Sequence, residues 1–187
     1  NLSEAILRLA DLNDSDTDDE RHILQILDTI INHPKTPEQN INLNITDEQG
    51  NTALNLAVSN FCFNLDFANR LIIAGADVNI ANNKLETPVF NISKRTTGCA
   101  IQNDLLFLLI NAGANLNIAN INGETPVFIA ASLGNAAALT LLKNANADIL
   151  TRDRNGENPL DIARKNGHYN CVNILQPGGK PTKPRNY

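Results

Sequence analysis

Aromatic residues are scarce in this chain, 4% of 187 residues, so any core must be built from Leu, Ile, Val and Ala. That composition suits helices packed closely through small side chains. Long apolar runs are missing too. No stretch reaches the roughly 18 residues expected of a membrane span, and no charged-then-apolar leader pattern is visible, so no membrane partner is expected. Cysteine is rare. Cys62, Cys99 and Cys171 are odd in number, widely spaced and in no CxxC or metal-type pattern. That usage points to reduced thiols and a cytoplasmic setting. A basic excess is absent: 15 Lys and Arg against 20 Asp and Glu leave a net charge of -5. Without a basic field nothing displaces counterions from a phosphate backbone, so no nucleic-acid partner is expected. Met is absent and the chain begins at Asn1, which reads as a fragment or processed piece.

What is present is a short block that recurs four times. Asp47-Glu48-Gln49-Gly50-Asn51-Thr52 returns as Asn82-Asn83-Lys84-Leu85-Glu86-Thr87, as Asn120-Ile121-Asn122-Gly123-Glu124-Thr125 and as Asp153-Arg154-Asn155-Gly156-Glu157-Asn158. Each block precedes an apolar stretch. The steps between the closing Thr or Asn positions are 35, 38 and 33 residues. A period in this range signals a stacked solenoid rather than one closed globule. Such an array offers a long surface and rarely a deep catalytic pocket.

The third unit shows the local logic. Thr125 can cap a helix by accepting from first-turn amides. Pro126 follows at the first helical position, where its missing N–H costs nothing. Val127, Ile129, Ala130 and Ala131 give an apolar face, and Gly134-Asn135 breaks the helix after about two turns. A second helix spans Ala136 to Lys143 with Leu139, Leu141 and Leu142 as core. Asn146 can close it in a left-handed conformation. Thr87-Pro88 and Asn158-Pro159 repeat the cap-plus-proline device, whereas Thr52-Ala53 keeps the cap alone. Gly75 and Gly113 close the second helices of the first two units. In the fourth unit Gly167-His168 is the break, and a helix with Cys171, Val172, Ile174 and Leu175 stops before Pro177.

These units resemble ankyrin repeats. The motifs that carry the likeness are Thr87-Pro88-Val89-Phe90, Thr125-Pro126-Val127-Phe128 and Asn158-Pro159-Leu160-Asp161, with Ala74-Gly75-Ala76-Asp77-Val78-Asn79 and Asn111-Ala112-Gly113-Ala114-Asn115-Leu116-Asn117. They recur in register over about residues 41–176. The resemblance implies an all-α solenoid of stacked helix-turn-helix units with hairpin-like fingers between neighbours. The expected organisation is a repeat domain over 1–176, made of a divergent N-terminal capping unit (1–46) and repeats 47–81, 82–119, 120–152 and 153–176. A flexible tail or linker follows at 177–187. Leu2, Ile6 and Leu9, then Ile23, Leu24, Ile26, Leu27, Ile30 and Ile31, supply the helices of the capping unit. This chain departs from the family pattern in three places. Asn55, Phe90, Phe128 and Asp161 stand where the family has His. Leu85 replaces a turn glycine, and a left-handed Leu is strained, so that finger is expected to be reshaped. The turns near Ser59–Asp66 and Lys94–Asn103 are lengthened, and three of six Phe cluster at Phe61, Phe63 and Phe67, with core filling expected of at least two.

Chemistry of other kinds finds little support. Counting a calcium loop from Asp14 puts Asp19 where glycine is needed and Gln25 where the bidentate Glu belongs. Thr17 with Glu20 reads better as a capping box. His22, His33 and His168 are dispersed, and no nucleophile–base motif or phosphate loop occurs. No catalytic residue, metal or cofactor is expected. Lys94-Arg95 and Arg164-Lys165 read as solvated helix ends.

In a stack the buried residues are committed to neighbours, and the finger tips and inner-helix ends remain for a partner. The candidate partner-binding residues are Glu48, Gln49, Asn51, Asn83, Lys84, Leu85, Glu86, Ile121, Asn122, Glu124, Leu133, Arg154, Asn155 and Glu157. The helix ends add Ser59, Asn60, Lys94, Arg95, Ser132, Lys165 and Asn166. Six finger acids against Lys84 and Arg154 give the fingers a net charge of -4, which favours a basic protein partner. Leu85, Ile121 and Leu133 are apolar where a solvated surface would be polar, as a binding hot spot requires. The resemblance implies a non-enzymatic protein–protein interaction scaffold, by default a monomer. Asn-rich, divergent arrays of this family occur in secreted effectors of intracellular bacteria, a likeness of style that implies action on host proteins inside a host cell. The rival reading is a substrate-recruiting module of a larger enzyme whose catalytic domain lies outside this chain.

Overall fold

The computed structural model describes residues 2–10, 24–25, 27–29, 41–59, 65–96 and 100–176. Its helices form two rows. The inner row is α1 (Leu2–Ala10), α2 (Ala53–Ser59), α4 (Pro88–Ser93), α6 (Pro126–Leu133) and α8 (Pro159–Lys165). The outer row is α3 (Leu65–Ile73), α5 (Ala100–Asn111), α7 (Ala136–Asn144) and α9 (Tyr169–Leu175). From α2 onward each inner helix packs on the outer helix that follows it, and every labelled helix packs on the next of its own row. This is the all-α solenoid that the repeat predicts, piled up in chain order. Residues 24–25 and 27–29 are helical too, and Leu27 is fully buried. Ile23, Ile26, Ile30, Ile31, the acidic run 14–20 with its Thr17–Glu20 box, His22, His33, Asn60, Phe61, Cys62, Phe63, Cys99 and the tail 177–187 lie outside the described residues.

Helix starts follow the cap logic read from the sequence. Thr87 Oγ1 accepts from Phe90 N (3.3 Å), Thr125 Oγ1 from Phe128 N (3.2 Å) and Thr52 Oγ1 from Asn55 N (3.2 Å). Asn158 does the same for Asp161 N (2.9 Å) in a capping box. Asn146 takes the left-handed backbone expected of it, with φ of 61°, and Gly134 at the helix break is left-handed too, with φ of 77°. The core between the rows is aliphatic: Leu54, Val58, Leu71, Val89, Ile92, Leu105, Leu109, Val127, Leu139, Leu142 and Ala163 are all shut from solvent. Each fully buried Leu or Ile adds about 1.5–3 kcal/mol. Phe67, Phe90 and Phe128 are buried as well, so two of the positions that have lost the family His now fill core. At Asn55 a polar solution replaces it. The buried Asn55 donates through Nδ2 to Ile80 O of the next connection (2.9 Å) and accepts from Asn91 Nδ2 (3.3 Å).

Asparagine also links the units along the fold. Asn42, Asp77, Asn115 and Asp148 each turn the chain by accepting from the amide two residues on (2.8–3.0 Å). Asn44, Asn79 and Asn117 then reach across each junction, accepting from the amides of Asp77, Asn115 and Asp148 (2.7–2.9 Å). Leu150 occupies the fourth place and ends the series. Asn richness is thereby given a structural use.

The lengthened turn after α4 has a use of its own. The Arg95 carbonyl accepts from Gln102 Nε2 (2.6 Å) and from Asn135 Nδ2 of the third unit (2.5 Å). Its guanidinium reaches back to the Ser59 carbonyl of the first. One residue thus ties three successive units together, and partial burial lowers its pKa by desolvation.

Candidate partner-binding face

The four recurring blocks become fingers with one common bond pattern. The first residue, Asp47, Asn82, Asn120 or Asp153, donates its amide to the carbonyl four residues on. Its carbonyl accepts from the amide three residues on, and its Oδ1 from the amides two and four residues on. The fourth residue is left-handed: Gly50, Gly123 and Gly156 have φ of 79°, and Leu85 has 58°. The second finger is therefore not reshaped. Asn82 makes the same four bonds as its counterparts, and these outweigh the strain at a left-handed Leu, which is about 1–2 kcal/mol. Among the described residues only an isolated antiparallel bridge, Thr46 to Thr52, reaches strand geometry.

Fingers are pinned to one another by backbone bonds from Asn83 N to Gln49 O (2.9 Å), Ile121 N to Lys84 O (3.0 Å) and Arg154 N to Asn122 O (3.0 Å). The contact is close: a Cβ on Gly50 would lie 2.8 Å from Asn83 N, and one on Gly123 would lie 3.0 Å from Arg154 N. A comb of this kind is ordered before any partner arrives, which lowers the entropy cost of binding.

The structure divides the candidate residues into two groups. Glu48, Gln49, Lys84, Leu85, Ile121, Leu133 and Arg154 are exposed, and their side chains make no hydrogen bond or ion pair among the described residues. Leu85 is 50% exposed, Ile121 and Leu133 41% each. The remaining candidates other than Glu124 serve the array itself, and Glu124 does so through Oε2 alone. Asn83 Nδ2 bonds Glu48 O (3.0 Å) and Asn155 Nδ2 bonds Asp153 Oδ2 (2.9 Å). Asn51 bridges Asp47 and Asn82 (3.0 and 3.1 Å), and Asn122 Nδ2 lies 3.4 Å from Glu124 Oε2. Glu86 corrects the expectation of a displayed finger acid. It is buried and ion-paired to Lys94 (2.8 Å), and the ammonium also lies 5.6 Å from the Phe90 ring centre. Glu157 pairs in the same way with Lys165 (2.8 Å), and this bond raises the lysine pKa. Lys94 and Lys165 are therefore tied to their fingers rather than merely solvated, and they bring the -4 of the fingers to -2. Asn166 is also engaged, donating to Ser132 O (2.8 Å).

Several exposed apolar residues went unrecognised in the sequence: Ile73, Ile101, Phe107, Leu150 and Tyr169. Counting back from Gly75, Gly113 and Asn146 places Phe107 in register with Asn69 and Thr140, an outward polar position, so alignment of the outer helices holds that signal. The acid-to-lysine step of eight residues, Glu86 to Lys94 and Glu157 to Lys165, was likewise readable. Among the described residues no group of three or more His, Cys, Asp or Glu side chains could hold a metal ion, and no helix is long and apolar enough to cross a membrane.

The comparisons agree with this geometry. A family model described as ankyrin repeats (3 copies) matches residues 98–184, and one described as ankyrin repeat matches residues 49–83. Together they span more than half of the chain. No curated protein matches it.

Proposed function

This chain belongs to the ankyrin repeat family and is a protein–protein interaction module; from that premise we propose that it is a non-enzymatic scaffold gripping one partner protein through its fingers and inner-helix ends. A single observation supports the reading most. Leu85, Ile121 and Leu133 stand exposed on the fingers and at an inner-helix end. Leu85 and Ile121 lie on adjoining fingers, joined through the Ile121 N to Lys84 O bond. Apolar anchors on a preordered frame, ringed by Lys84, Arg154, Glu48 and Glu124, have the make-up of a hot spot within a polar rim. Three or four fingers can supply the roughly 800 Å² per partner of a standard interface.

The test uses the wild-type chain and a Leu85→Asp/Ile121→Asp double variant as baits for affinity capture from a cell lysate, with mass spectrometry as readout. Both side chains are solvent-facing, so the thermal midpoint should stay nearly unchanged while the captured partner disappears. Undiminished capture by the double variant would reject this face.

A further inference from the structure

We infer that the third unit carries the specificity anchor of this face: Glu124, flanked by Ile121 and Leu133, takes a Lys or Arg side chain of the partner that sits beside an aliphatic or aromatic residue. This rests on the finger-face reading above and sharpens it. In the second and fourth units the last finger acid is neutralised internally by the lysine eight residues on, Lys94 for Glu86 and Lys165 for Glu157. The third unit lacks that lysine. Ser132 stands at the equivalent step from Glu124, and its short side chain bonds Asn166 Nδ2 instead (3.3 Å). Glu124 receives Asn120 Nδ2 (2.8 Å) and Asn122 Nδ2 (3.4 Å), both on Oε2. Its Oε1 has no hydrogen-bond or ion-pair partner among the described residues.

The other finger acids are differently placed. Asp47 and Asp153 spend their carboxylates on the amides and side chains of their own turns. Glu48 is uncommitted, but its finger neighbours are Gln49 and Asn51, with no apolar group beside it. Only the third finger combines an uncommitted carboxylate oxygen with exposed apolar side chains, Ile121 on the same finger and Leu133 at the end of the following inner helix. Glu124 is already partly desolvated by its position, so an incoming cation meets a carboxylate oriented by two amide donors rather than a mobile one. Charge-assisted bonds formed there are stronger than neutral ones, and the apolar flanks favour a partner with a hydrophobic residue next to its base.

The probe is a displayed library of random twelve-residue peptides, selected on the folded chain. Enriched peptides are then synthesised and titrated calorimetrically. Peptides pairing Lys or Arg with Leu, Ile, Phe or Tyr are expected. Glu124→Gln should weaken them about tenfold or more. Ser132→Lys should do the same, because it installs the internal lysine that the neighbouring units already have. Asp104→Asn, an equal loss of charge on the outer helix α5, should leave affinity within about twofold. Affinity should also fall as salt is raised. Binders without a base, a Glu124→Gln affinity within twofold of wild type, or a library that yields no binder would each overturn the anchor. If base-free peptides bind and the Leu85→Asp/Ile121→Asp variant loses them, the finger face survives and the anchor alone falls. Peptides indifferent to both sets of changes remove the face as well.

Discussion

At the residue scale the left-handed finger position sets a measurable contrast. Leu85 holds φ 58° where its counterparts are glycine. Leu85→Gly should stabilise the fold by about 1 kcal/mol, the relief of left-handed strain less the extra chain entropy of glycine. A melting temperature about 2–4 °C higher would follow for a chain of this size; a decrease in thermal denaturation would show that the Leu side chain contributes packing that outweighs its strain. The glycines themselves are not equivalent. A Cβ at Gly50 would meet Asn83 Oδ1 at 2.4 Å, whereas Gly156 has nothing within 4 Å. Gly50→Ala should cost about 2–3 kcal/mol and Gly156→Ala about 1 kcal/mol, the backbone penalty alone. Equal losses in urea titrations of the two variants would refute the close approach of the fingers. Cys171 tests the core. It is shut from solvent, and burial pushes its thiol up to about 11. The fold therefore keeps a proton that the unfolded chain releases near pH 9, so this contribution is full below pH 9 and is lost as pH rises toward 11. The stability difference between wild type and Cys171→Ala should shrink by about 1–2 kcal/mol from pH 8 to 10.5, measured by urea melts. A constant difference would contradict the burial.

At the element scale the junctions between units depend on amide side chains as much as on aliphatic contact. Asn55 is buried, and both ends of its amide are used. Asn55→Ala strands the Asn91 amide in the core and should cost about 2–3 kcal/mol. Asn79→Ala removes one inter-unit bond to the exposed Asn115 amide, which water can satisfy, so about 1 kcal/mol or less is expected. Chemical denaturation of both variants tests the ordering, and a larger loss at Asn79 would reverse the argument. These pairs show what the chain discloses before it is folded. Helix starts were legible because Thr-Pro and Asn-Pro act through atoms two or three residues away, and helix ends because glycine reports a positive φ locally. The finger at Leu85 was misjudged because its shape is decided by four bonds from Asn82, which together outweigh one residue's preference. The amide network was hidden because its partners are 25–42 residues apart, as with Asn55 and Ile80 or Asn135 and Ser93. Of the candidate site, exposed Leu85 and Ile121 were visible as apolar residues in polar blocks, and Leu133 as an apolar residue at an inner-helix end. The burial of Glu86 was not, since it depends on where Lys94 comes to rest.

At the scale of the whole molecule, a stack in which each unit touches only its neighbours behaves as a one-dimensional chain of coupled parts. Its cooperativity is then set by its junctions. The junction between the second and third units rests on Asn135 more than on any other polar group. Its Oδ1 caps α7 through Ala138 N (3.0 Å), and its Nδ2 holds Ser93 O (3.3 Å) and Arg95 O (2.5 Å). Arg95 in turn reaches Ser59 in the first unit. Asn135→Ala removes the cap and the cross-unit bonds together, at about 2–3 kcal/mol, and it falls in the middle of the array rather than at an end. The expected result is more than a shift of the midpoint. Wild type should unfold in one transition, followed by helical circular dichroism in urea. The variant should unfold in two, with the units on either side of 135 separating. Hydrogen exchange should then report lower protection on one side of the break than on the other. A single transition moved uniformly to lower urea would mean that the aliphatic contacts of α4 with α6 and α5 with α7 couple the halves without help from this amide.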